Sequence, residues 1–213
     1  MKKSDLLLKV LSLIPFDRVI TREAWGSQPI KGTPDVHAPA RIVVHHTWKP
    51  EAGEYLKKAT PADRARVVRA IQRYHQYDNG WSDIGYHFLI GPDGTIFLGR
   101  DPEHVGAHCG GTPPEGSRHV FGNTGSVGIA LIGNHDIEEP TPSALDSLDV
   151  LKRAIYTATG KILPVFGHFQ AWSPTPPKTC PGKLLIDHLG VVGLSEIWKK
   201  LFEKPAKPSV PVQ

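Results

Sequence analysis

Arg41-Ile42-Val43-Val44-His45-His46 is a short apolar run of β-branched residues ending in two imidazoles. Such a run, without polar alternation, predicts a strand covered on both faces of a sheet. Neighbouring strand side chains face opposite ways, so only one of His45 and His46 shares the side of Val43. A second buried strand is expected over Ser126–Gly133. Tyr86-His87-Phe88-Leu89-Ile90 and Thr95-Ile96-Phe97-Leu98 flank Gly91-Pro92-Asp93-Gly94, which reads as a hairpin with a four-residue turn.

Helices alternate with these strands. Thr60-Pro61-Ala62-Asp63 supplies an N-cap, a proline in the first turn and an early acid, and Val67, Ile71 and Tyr74 follow at helical spacing. Thr141-Pro142 starts another helix, with Leu145, Leu148, Leu151 and Ile155 on one face and Gly160 as its stop. A third helical region covers Lys183–His188 and Leu194–Phe202. Interleaved strands and helices with a hairpin predict an α/β fold, a mixed β-sheet flanked by helices. Residues 1–18 read as an amphipathic helical extension, 19–203 as one domain and 204–213 as a Pro/Lys tail with nothing to bury.

The 213 residues carry a net charge of +4 and no dense basic stripe, so nucleic acid is not an expected partner. No apolar run approaches the roughly 20 residues of a membrane span. Lys9 interrupts the leading leucines and no small-x-small site follows, so no signal peptide is read there. Synthesis in the cytoplasm, action outside it and a monomeric state are the expectations. The two cysteines, Cys109 and Cys180, are too few for a disulfide framework.

Several side chains are candidates for chemistry. His45 or His46 ends a rigid strand. His168 follows a short apolar segment, and Cys180 comes 12 positions later on a Pro-rich stretch. Two imidazoles and a thiolate form an N/N/S set suited to Zn²⁺ with one position left for water. Each also has a plainer reading: a hydrogen-bonded core histidine, a structural cysteine. Tyr86 offers a phenol to an amide or a water, or is a sheet tyrosine with its hydroxyl at the rim. Lys178 offers an ammonium to an oxyanion, or is a solvated loop lysine. The unpatterned stretch 100–125, with Gly106-Ala107-His108-Cys109-Gly110-Gly111, is long for a passive loop.

Taken in order, Ile20–Ser27, Ile42–Thr47, Gly80–Phe88, Gly99-Arg100, Val105–His108, Ser126–Ile129, Gly167-His168 and Thr179–Gly182 resemble the zinc N-acetylmuramoyl-L-alanine amidases of the phage lysozyme (T7-type) and peptidoglycan recognition protein group, over roughly residues 20–203. The resemblance implies a single amidase domain with a zinc-bearing groove, His45, His168 and Cys180 as ligands, and Tyr86 and Lys178 as catalytic groups. It implies peptidoglycan, a muramyl peptide, as partner and cell-wall lysis, of endolysin or autolysin type, as outcome. His46, Thr47, Trp48 and His108 are expected to contact substrate. The chain departs from the group in a longer segment between His168 and Cys180, near Ala171–Pro177, which offers Trp172 to a groove wall, and in an extended loop 109–125. A non-catalytic peptidoglycan-binding module, a thiol hydrolase using Cys180 and His168, and a purely structural zinc site remain as rival readings.

Overall fold

In the computed structural model, residues 3–58, 60–110, 113, 115, 121–171 and 179–189 are described. Six strands form one sheet: β1 (Val19–Ile20), β2 (Arg41–His46), β3 (Phe88–Ile90), β4 (Ile96–Leu98), β5 (Ser126–Leu131) and β6 (Val165–Gly167), ordered β1-β4-β3-β5-β2-β6. The β3–β4 pair is antiparallel and the other four pairs are parallel, so the sheet is mixed. Strand β2 is hydrogen-bonded on both sides. All six of its residues pair with β5, from Arg41 opposite Ser126 to His46 opposite Leu131, and Ile42 to Val44 pair with β6. Its apolar run needs no polar alternation because both faces are covered, Ile42 and Val44 by one core cluster and Val43 by another.

The helices are α1 (Asp5–Ser12), α2 (Arg22–Trp25), α3 (Ala52–Leu56), α4 (Pro61–Arg73), α5 (Pro142–Thr159) and α6 (Lys183–Ile186). Thr60 and Thr141 cap α4 and α5 through their hydroxyls, and α5 ends on Gly160 at φ 67°. Both starts and this stop match the sequence expectation. The short elements β1, α2 and α3 had no periodic signal and were not expected. Beyond Arg73 the helix widens into a π-type turn over Tyr74–Asp78. The expected helix over Leu194–Phe202, the tail 204–213 and Trp172 lie outside the described residues.

One face of the sheet presents Ile42, Val44, Phe88, Ile90, Val127 and Ile129 to α5 and α1. Helix α1 packs on the domain: Leu7, Val10 and Ile14 join this core, and the Ser4 hydroxyl donates to Asp101 at 2.6 Å. The other face presents Leu89, Phe97 and Ala130 to Trp25, Tyr55 and α4. No helix among the described residues is long and apolar enough to cross a membrane.

Trp25 is fully buried in that second core, and its indole N–H donates to the Leu98 carbonyl at 2.8 Å. Trp25→Ala removes a large core side chain and leaves that carbonyl without its donor, so it should lower unfolding stability by about 3–5 kcal/mol in urea titration. A loss under about 1 kcal/mol, the range of a surface change, would contradict this packing.

Candidate metal and hydrolytic site

His45 lies at the C-terminal end of β2 and is 1% exposed. Strand β6 ends beside it, and the chain turns at once into a 3-10 turn over His168–Gln170. The Phe169 N–H donates to the Cys180 carbonyl at 2.9 Å, tying the turn that carries His168 to the segment that carries Cys180. That segment is held from the other side. The Thr179 hydroxyl donates to Asp136 at 2.6 Å, the Lys183 N–H donates to the same carboxylate at 3.1 Å, and the Leu184 N–H donates to the His135 carbonyl at 2.9 Å. Gly182 is required there, since a Cβ would lie 2.4 Å from the His135 backbone and its φ is 103°.

The result is convergence. One donor atom from each of His45, His168 and Cys180 lies within 4.8 Å of the others. The His45 and His168 rings are 4.5 Å apart, and Cys180 Sγ is 3.8 Å from His45 Nδ1. Burial, with His168 and His108 nearby, drives the His45 pKa well below its ordinary value, so the ring is neutral and offers a lone pair. Two imidazoles and a sulfur at this spacing fit Zn²⁺, whose structural and catalytic sites use this donor chemistry.

Tyr86 stands next to this set, its ring 5.2 Å from that of His45. Strand alternation predicts that it shares a face with Phe88, and the structure corrects this. Tyr86 packs with the cluster that holds Leu89, whereas Phe88 belongs to the opposite one. The cause is local. Gly99 N–H donates to His87 O and Arg100 N–H to Tyr86 O in succession, which a regular antiparallel ladder does not do. Gly99 permits it, because a Cβ there would lie 2.2 Å from the Tyr86 carbonyl.

Buried charge fixes the segment just before Tyr86. Asp83 is 2% exposed, and its carboxylate accepts from Arg22, from Gln72 at 2.6 Å and from the Ile84 N–H at 2.8 Å. Arg100 donates to the carbonyls of Asp83, Ile84 and Val105. The Gly85 N–H donates to His75 Nδ1 at 3.0 Å, joining this segment to the end of the α4 helix. Burial raises the Tyr86 pKa, which keeps the phenol a hydrogen-bond donor.

A cavity of ≈ 770 Å³ opens beside Tyr86, lined by Thr47, Trp48, His75 and the α4 residues Val67 and Ile71. Trp48 holds φ 64°, a rare backbone state for a bulky residue, and is 58% exposed, so its indole is displayed at the rim. Of the four expected substrate contacts, Thr47 and Trp48 therefore line the cavity and two do not. His46 points to the other side of β2, where its Nδ1 accepts from the His135 N–H. His108 is 6% exposed and lies behind His45. Both departures follow from burial, which leaves neither ring an open face. Lys178 lies outside the described residues. His75 was missed, although it continues the stripe of Val67 and Ile71 at helical spacing. Cys109 sits 3.2 Å from His108 Nδ1.

Against known proteins, the family described as N-acetylmuramoyl-L-alanine amidase matches residues 35–183. The chain is similar to the human protein named N-acetylmuramoyl-L-alanine amidase, at 33% identity over 78% of this chain, although it spans only 26% of that protein's length. It is 35% identical to peptidoglycan recognition protein 1 of Bos indicus, over 70% of this chain and 73% of that one. Among solved structures, Drosophila PGRP-LB aligns with a TM-score of 0.65 at 30% identity, over 80% of this chain and 91% of that one. Peptidoglycan recognition protein LE, solved in complex with tracheal cytotoxin, a monomeric diaminopimelic acid-type peptidoglycan, aligns with a TM-score of 0.64 at 29% identity, over 78% and 89% of the two chains.

The buried histidines around the site set an acid limit. Burial is the largest cause that lowers His75 to about 4, with Arg100 lowering and Asp83 raising it. Burial likewise lowers His87 to about 3, with His37 and Arg100 lowering and the His104 carbonyl and Asp101 raising it. In the unfolded chain both titrate near 6.5, so below that pH the unfolded state binds more protons. Their stability contribution is complete above pH 6.5 and is lost as pH falls toward 4 and 3. Each ring should remove up to about 1.4 kcal/mol per pH unit in that window. Urea midpoints measured from pH 7 to pH 4 should fall accordingly, and a flat profile would contradict neutral burial.

Proposed function

The chain belongs to the N-acetylmuramoyl-L-alanine amidase family, and from that premise we propose that it is a zinc-dependent hydrolase of the amide between N-acetylmuramic acid and L-alanine in peptidoglycan. The observation that carries the proposal is the three-donor convergence of His45, His168 and Cys180 beside a cavity rimmed by Tyr86 and Trp48. A zinc ion held by these residues would polarise the scissile carbonyl and lower the pKa of water to roughly 7.

The chain's own groups do the rest. The Tyr86 phenol stays protonated and donates a hydrogen bond to the amide oxygen or to the attacking water. The Lys178 ammonium, assigned from the sequence resemblance, stabilises the negative charge that develops on the amide oxygen. Trp48 offers an exposed indole face to the sugar or the stem peptide. Residues 19–203 form the catalytic domain in this reading, acting at the cell wall and breaking it down. A complete donor set together with Tyr86 favours hydrolysis over binding alone. The paired nitrogens around the sulfur favour a metal ligand over a thiol nucleophile.

Purified protein incubated with cell-wall sacculi should release new L-alanine amino termini, identified by mass spectrometry. Exhaustive chelation should abolish the release, and zinc should restore it. Tyr86→Phe and Lys178→Ala should each lower the rate about 10²–10³-fold, the usual effect of deleting one such donor. Tight binding with no new amino termini would establish a recognition module instead. Full activity after chelation, together with loss on thiol alkylation, would make Cys180 the nucleophile.

A further inference from the structure

Behind His45 lies a second layer that the proposed hydrolysis leaves unused. His108 Nδ1 is 2.9 Å from His45 Nε2, and His108 Nε2 is 3.2 Å from the carbonyl oxygen of Ser126. A carbonyl only accepts, so the Nε2 of His108 carries a proton. The ring is enclosed, and the groups against it are an imidazole, a thiol sulfur and a backbone carbonyl, none of which supports a buried cation, so its Nδ1 carries a lone pair. Two lone pairs do not face each other at hydrogen-bond distance, so the proton between the two rings belongs to His45 Nε2. The lone pair of His45 is then on Nδ1, the atom 3.8 Å from Cys180 Sγ.

We infer that His108 is a positioning residue that accepts the Nε2 proton of His45 and so locks that ring in the tautomer whose Nδ1 faces Cys180. This rests on the zinc-site reading of His45 and deepens it. The other ring nitrogen of a metal-bound histidine is commonly held by a hydrogen-bond partner, which fixes both tautomer and ring orientation.

The chain is built around this ring. A Cβ on Gly106 or on Gly128 would lie 2.5 Å from His108 Cδ2, so both positions are reserved for the imidazole. Asn123 clamps the backbone that carries it. Its Oδ1 accepts from the N–H groups of His108 and Cys109 at 2.9 and 2.8 Å, and its Nδ2 donates to the Cys109 carbonyl at 3.0 Å. Cys109 Sγ packs 3.2 Å from the same Nδ1 and closes that side of the ring.

His45, His108 and Cys109 also bring three potential ligand atoms within 4.8 Å of one another. A second metal there would have to replace the Nε2 proton of His45 and, with zinc already on Nδ1, would leave that ring an imidazolate. The relay therefore predicts one zinc per chain, not two.

Long-range ¹H–¹⁵N spectra of the metal-free protein should show His45 protonated at Nε2 and not at Nδ1. His108→Leu fills the space without an acceptor and should weaken zinc binding about 10- to 100-fold in chelator competition. His108→Asn places an amide oxygen near the lost Nδ1 and should recover most of that affinity. Protonation of His45 at Nδ1, a folded His108→Leu protein with undiminished zinc affinity, or two zinc ions per chain would each overturn the inference. Should His108→Leu not fold, the spectrum of the unaltered protein decides. An unaltered protein that binds no zinc would sink the hydrolase reading, while the tautomer of His45 still tests the relay separately.

Discussion

The central constraint is the double pairing of strand β2. Between β5 and β6 its backbone has no freedom to slide, because a one-residue slip would send every side chain to the wrong face. His45 is thereby fixed at the end of a rigid segment whose last five residues are buried. Strand β6, the neighbour on one side, ends beside it and delivers His168 directly. The backbone bond from Phe169 N–H to Cys180 O, together with the bonds of Thr179, Lys183 and Leu184 to Asp136 and His135, then brings the sulfur to the same place. Residues far apart in sequence meet because the strand ladder and the contacts of the cysteine segment leave them little alternative.

Rigidity of this kind needs backbone to pass close to backbone and to rings, and glycine makes that possible. Gly99 lets the chain break ladder alternation beneath Tyr86, and Gly182 lets the cysteine segment lie on His135. Polar burial is handled with equal economy. Asp83 and Arg100 are almost fully enclosed, yet each is surrounded by donors or acceptors that satisfy it. An unpaired buried charge would be strongly destabilising, so these bonds are a condition of placing Tyr86 where it stands.

The site is asymmetric. On one side of His45 the walls are histidines, glycines and backbone carbonyls, closed and preorganised. On the other, the cavity between Trp48 and α4 is open and lined mostly by apolar surface with some polar groups. A closed side suits the fixing of a ring tautomer. An open side suits a long, amphiphilic ligand.

Much was legible in the sequence because it is local. The β-branched run at Ile42–Val44, the threonine-proline starts of α4 and α5, the Gly160 stop and the hairpin at Gly91–Gly94 follow from short-range sterics and capping. The donor types at positions 45, 168 and 180, and the likeness to a known group of amidases, were also readable from residue identity and order. What the tertiary structure alone decided is which side chains share a space. Alternation placed Tyr86 with Phe88, but two successive cross-strand bonds turned it toward Leu89 and His45. The loop sequence offered His108 to substrate, but Gly106, Gly128 and Asn123 seat it behind His45. Local periodicity fixes how a strand or helix alternates its faces, while only contacts between distant segments determine what each face meets.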